Sequence, residues 1–146
     1  MEEQFGLRGR FRLENQRTGE VREIPNTIMN VGKSSVSSYI AGDVSAADEF
    51  DWIGIGTSGL SPAATQTTLG SERIRNPTTS SQQTTTTTND TARFIGSFGI
   101  SGTHTIQEAG VFNAASNGSM LARATFAGLN VVSGDFINAT YDITVA

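Results

Sequence analysis

The sequence predicts an all-β protein: an antiparallel β-sandwich, jelly-roll or immunoglobulin-like, with one or two short helices. Three observations carry this. Apolar and polar residues alternate with period two, most regularly in the last segment, where Ile137, Ala139, Tyr141, Ile143 and Val145 alternate with Asn138, Thr140, Asp142 and Thr144. Turn clusters such as "NQRTGE" and "NAASNGS" separate the apolar runs. Charged residues make up only 16% of the chain and glycine is abundant, which suits turns and strands better than long helices.

The 146 residues are enough for one sandwich domain with one core, spanning 1–146. At its start, Phe5, Leu7, Gly9, Phe11 and Leu13 alternate with Gly6, Arg8, Arg10, Arg12 and Glu14. "VREIP" returns after a turn, so residues 1–25 read as an N-terminal hairpin or arm, with "TIMNV" as a candidate extension. Next, Val36, Tyr39 and Ile40 have helical spacing and Gly42 stands at a C-terminal cap position, which predicts a helix of about ten residues. "FDWIGI" reads as a strand, and "SPAATQTTLG" as a short helical turn with Ser61 as N-cap and Pro62 at the first helical position. The Thr-rich stretch within 77–90 reads as a linker or an edge strand. Its five consecutive threonines are β-branched and favour extended backbone, so it is expected to pair with this sheet or with a neighbouring subunit. Four further strands follow: "TARFIGSFGIS", "TIQEAGVFN", "SMLARATFAG" and "DFINATYDITVA". The second and third are expected to form a hairpin.

Several function classes lose ground on the residues alone. With no cysteine there is neither a disulfide framework nor a thiolate metal site. Apolar runs stay far short of the roughly 18–20 residues of a membrane span. The N-terminus alternates charges, unlike a signal peptide, so synthesis and folding in a cytoplasm are expected. A net charge of −4 argues against broad nucleic-acid binding. Gly54, Gly56 and Gly59 spell G-x-G-x-x-G, but the helix and second βαβ unit of a dinucleotide site are lacking, and no Gly-Lys-Ser/Thr makes a P-loop. The glycines are better read as space for a close-packed neighbour, with Trp52 on their face and Ile53 and Ile55 on the other. His104 is the only histidine. Glu108 lies four residues on, on the same face of an ideal strand, with no nucleophile to complete a catalytic set. Asp48, Glu49 and Asp51 lack the spacing of a calcium loop. Asn89, Asn117 and Asn138 head glycosylation sequons of the kind that arise by chance in a Ser/Thr-rich chain. No catalytic residue, cofactor or metal is therefore expected.

The remaining candidate is basic. Arg8, Arg10 and Arg12 form a stripe on one strand face, with Arg17 and Arg22 in the same hairpin and Glu14, Glu20 and Glu23 between them. A solvated face with cross-strand ion pairs is one reading. The other is docking to an acidic partner, for which the planar guanidinium fork is suited. Nucleic acid ranks below both, because Phe5 and Phe11 lie on the opposite face.

Segments "IPNTIMNVGKSSVSSYIAG", "FDWIGIGTSGLSPAATQTTLGSE" and "NDTARFIGSFGISGTHTIQEAGVFNAASNGSMLARATFAGLNVVSGD" and the last strand resemble small structural proteins of tailed bacteriophages and related viruses. The resemblance covers residues 24–145 and rests on the W-I-x-I-G-T strand, the T-x-L-G-S-E turn, the I-x-E-A-G-V-F-N strand, G-x-M-L-A-R-x-T-F and V-x-S-G-D. The E-A-G-V-F element is also similar to one in tail-collar and tail-fibre proteins. The resemblance implies a non-enzymatic virion protein. With no length left for a receptor-binding tip, it implies a capsid decoration protein that bridges and stabilises subunits of the major capsid protein, as a homo-oligomer with a trimer favoured. A tail, neck or baseplate/fibre-attachment component is the alternative. Neither a membrane nor nucleic acid is an expected partner. A sugar-binding module would need exposed aromatics, whereas Tyr39, Trp52 and Tyr141 occupy core-like positions.

Overall fold

Alternation of apolar and polar residues produces two sheets, seen here in a computed structural model that describes residues 3–4, 6–43, 45 and 48–146. Among these residues the elements in chain order are β1 (Leu7–Asn15), β2 (Val21–Pro25), β3 (Thr27–Ile28), α1 (Asn30–Ala41), β4 (Trp52–Gly56), β5 (Glu72–Pro77), β6 (Thr79–Gln83), β7 (Thr91–Gly99), β8 (His104–Phe112), β9 (Met120–Val131) and β10 (Phe136–Val145). One five-stranded sheet, sheet A, has the order β2-β1-β10-β7-β6. The other, sheet B, has the order β3-β9-β8-β4-β5. All pairings are antiparallel. This is the expected all-β sandwich. The chain lays hairpins into the sheets by turns: β1–β2 into A, β4–β5 into B, β6–β7 into A, β8–β9 into B.

The main core lies between the sheets. Phe11, Leu13, Phe98, Ile137, Ala139 and Tyr141 come from sheet A, and Ile53, Ile55, Ile106, Val111, Leu129 and Val131 from sheet B. Each full burial of such an aliphatic side chain stabilises the fold by about 1.5–3 kcal/mol. The alternation read from the last strand therefore has a physical cause: its odd-numbered residues from 137 to 141 are fully buried and its polar residues face outward. Phe5, placed in the first strand on sequence grounds, lies outside the described residues.

Helix α1 begins two residues before the apolar spacing placed it and ends where expected. Gly42 adopts a left-handed φ of 71°, its N–H reaches the Tyr39 carbonyl, and the Asp43 N–H reaches Ser38. That is the glycine-terminated cap that exhausts the last carbonyls of a helix. The short helical turn expected after β4 is a single turn over residues 63–66, in which the Gln66 N–H bonds the Ala63 carbonyl. The Gln66 side chain also caps the Ala63 N–H, so the polar groups of this turn are satisfied locally.

The Thr-rich segment divides in two. Residues 79–83 form β6, an edge strand of sheet A. The five threonines themselves do not continue it. The Asp90 carboxylate accepts the N–H groups of Thr85, Thr86 and Thr87 and wraps the run into a turn. Backbone bonds to a carboxylate outweigh the extended preference of β-branched residues here.

Candidate interaction surface

The two outer faces of the sandwich differ. The outer face of sheet B is covered by the long β4–β5 connection, residues 57–71. Leu69 from it packs with Met29, Phe112 and Met120 in a second small core, with Val31 and Trp52 at its margin. Gly54 and Gly56 make that cover possible. A Cβ on Gly54 would stand 3.0 Å from the Phe112 ring, and one on Gly56 would run into the Ser71 carbonyl oxygen. The G-x-G-x-x-G stretch is thus a packing device.

Beneath this cover sits a buried ion pair. The Arg123 Nε and Nη2 donate to Glu108 Oε1 at 3.2 and 3.1 Å. Both side chains are almost wholly buried. The same carboxylate accepts the N–H groups of Ser58, Gly70 and Ser71, and Arg123 also donates to the Leu60 carbonyl and Gln66 Oε1. Every one of these bonds ties the connection to sheet B. Glu108 and His104 are not brought together. The register shifts between Ile106 and Glu108, which inverts the alternation. His104 instead has Nε2 3.0 Å from the Ser101 carbonyl oxygen, outside any catalytic set. Sequence reasoning missed the Glu108–Arg123 clamp. Its signal was one acid and one base, each the one Asp, Glu, Lys or Arg of its strand.

Among the described residues the outer face of sheet A carries no such layer, apart from the Thr-rich turn that buries Thr91 at one end. Arg8, Arg10 and Arg12 project from β1 and are exposed. Beside them run Asn138, Thr140, Asp142 and Thr144 of β10, then Arg93, Ile95 and Ser97 of β7, then Thr79 and Ser81 of β6. Phe136 stacks over Gly99 on this face and remains half exposed, as does Ile95. Much of the charge is internally matched. Arg10 and Arg12 pair with Glu23, Arg12 also with Glu14, and Arg93 makes a two-pronged pair with Asp142. That pairing raises the Arg93 pKa above its usual value. Arg8 has no ion pair among the described residues.

Arg17 and Arg22, grouped with the stripe on sequence grounds, are turned to intramolecular work. Arg17 grips both oxygens of Asp135, whose side chain is buried and also takes an N–H from the Asn15 amide. Arg22 donates to the carbonyls of Ala127 and Gly128 and so ties the edge of sheet A to β9.

Comparison with family models, curated proteins and solved structures finds no match.

One further concavity is lined by residues of α1, of sheet A and of the segment before β4. It encloses about 510 Å³. Leu7, Ala92, Phe94 and Ile143 form its floor, with Tyr39 and Phe50 on the wall. Glu49, Asp51 and Asp90 stand at the rim, and among the described residues no basic group lines it. Burial first, then the carboxylates of Asp48, Glu49 and Asp51, push the Tyr39 phenol above its usual pKa, a sign of local negative potential. Among the described residues no cluster of three potential metal ligands occurs. Within the acidic group Asp48, Glu49 and Asp51, the Asp48 carboxylate accepts the Ser45 N–H and hydroxyl. No described helix is long and apolar enough to cross a membrane.

Proposed function

We propose that this protein is a non-enzymatic structural component of a tailed-phage virion, a capsid decoration protein that bridges and stabilises neighbouring capsid subunits. The observation that carries the reading is the bare outer face of sheet A. One sheet face is covered by its own loop, while the other presents Ile95 near Arg12 and Arg93, and Phe136 at the end of β10 away from Arg8. Half-exposed apolar side chains on a face that also carries arginines have the composition of a protein interface. The motif resemblance supplies the virion context. The matched charges adjust the mechanism: the arginine forks would exchange Glu14 and Glu23 for capsid carboxylates, so they give register and orientation more than raw attraction. Binding only the assembled shell stabilises it by mass action, and a trimer on local threefold positions suits the role.

The first test is the copy number of this chain against the major capsid protein in purified particles. A ratio near one is expected. A ratio of a few per cent would instead favour a tail, neck or baseplate component, the reading supported by the E-A-G-V-F element. Replacing Arg8, Arg10 and Arg12 by serine is expected to weaken attachment about tenfold while leaving the thermal transition in place. Undiminished occupancy on particles would reject this face as the docking surface.

A further inference from the structure

Sheet edges expose unpaired backbone groups and are normally blunted by charge, proline, bulges or brevity. Three of the four edges here follow that rule. β2 ends at Pro25 and carries Arg22, whose guanidinium folds onto β9. β3 is two residues long and runs on toward α1. β5 carries Glu72, Arg73 and Arg75 and ends at Pro77. The fourth edge, β6, reads Thr79-Ser80-Ser81-Gln82-Gln83. It has no charge, no proline and no shift in its register with β7, and four of its five residues are exposed.

This unguarded edge borders the groove. Ser80 and Gln82 pair with Phe94 and Ala92, which form part of the groove floor, and both line it themselves. A strand laid along β6 would send every second side chain inward over that floor. The mouth it would pass is acidic: Asp51 is tied to the start of β6 through the Thr78 N–H and hydroxyl, and Glu49 is close by in sequence.

We propose that β6 accepts an extended segment of another protein as an added strand, with alternate apolar side chains in the groove and a basic residue at its acidic mouth. Main-chain bonds supply affinity in such pairings and the side-chain pocket supplies selectivity. A second copy of this chain suits the edge poorly. Antiparallel pairing of β6 with itself would offer serine and glutamine to an apolar floor. The inference is independent of the virion reading and of the arginine face.

The probe is a pool of eight-residue peptides with Val, Ile, Leu or Phe at alternate positions, Ser or Thr between them, and Lys or Arg at one end. The full chain is immobilised, and retained peptides are compared with the same pool ending in Glu. At least tenfold enrichment of the basic pool is expected. N-methylation of alternate peptide nitrogens, which blocks strand pairing, is expected to abolish retention. Ala92→Phe, which fills the groove floor, is expected to weaken binding tenfold or more, with folding checked by its urea transition. The N-methylated peptides test the idea even if that variant does not fold. No retained peptide, equal retention of acidic or N-methylated pools, or a β6 protected from hydrogen exchange by a second copy would each overturn the proposal.

Discussion

At the scale of single residues, the centre of the molecule is Glu108. Three backbone N–H groups and a guanidinium converge on one carboxylate in a site closed to water. Desolvating two charges is costly, and the bonds around them offset that cost only while both are present. Removing one partner strands the other. Arg123→Met is therefore expected to destabilise the protein by about 3–5 kcal/mol, measured by urea unfolding. Glu108→Gln keeps the shape but leaves the Arg123 charge unpaired and turns an amide NH2 toward N–H donors, so it is expected to cost a similar amount, about 3–5 kcal/mol. A variant in which both become apolar should recover part of the loss. If Arg123→Met unfolds at the wild-type midpoint, the clamp contributes nothing. At the same scale, two asparagines of the sequons have backbone roles. Asn89 and Asn117 both take left-handed φ, near 59° and 55°, which asparagine tolerates better than most residues.

At the scale of elements, the turn before β10 is held by electrostatics. The Arg17 fork first, then the Val132 N–H, hold the Asp135 carboxyl well below the usual carboxylate range. In the unfolded chain that carboxyl returns to a pKa of about 4. Its contribution is therefore complete above about pH 4 and is lost as pH falls through the lowered native value. Wild-type Tm should drop on acidification from about pH 5 to pH 2.5, and Asp135→Asn should flatten part of that drop while lowering Tm at pH 7. An unchanged slope would remove this pair from the acid response. The elements were unevenly legible. β7 to β10 and the C-terminus of α1 were readable because alternation or a glycine cap marks them. β5 was not, because "SERIRNP" mixes charge with one apolar residue and pairs only along β4. The register shift opposite Gln107, where Phe126, Ala127 and Gly128 of β9 face a single residue of β8, was invisible for a different reason. Nothing in the local sequence announces the extra residues, yet the shift decides whether Glu108 faces His104 or Arg123. The candidate site was half legible: Arg8, Arg10 and Arg12 stand where alternation placed them, whereas the partners of Arg17 and Arg22 are more than 100 positions away.

At the scale of the whole molecule, the sandwich is asymmetric, with a self-covered sheet B and a bare sheet A. That asymmetry supports a subunit with one face reserved for others. It follows from where the chain spends its longest connection, residues 57–71, and from the clamp that holds it down. The same architecture has a consequence for synthesis. β1 lies between β2 and β10, with Leu7 beside Val145 and Asn15 beside Ile137. The earliest strand thus waits for the latest. While residues 136–145 are still inside the ribosomal exit tunnel, Phe11 and Leu13 lack the Tyr141 and Ala139 neighbours that pair with them. Sheet A cannot close until β10 has emerged, and until then the partners of β1 are missing. Pairing of such distant segments is intrinsically slow. A stalled chain ending at Asp135 should be digested by protease as readily as an unfolded one, and a chain in which β10 has emerged should be resistant.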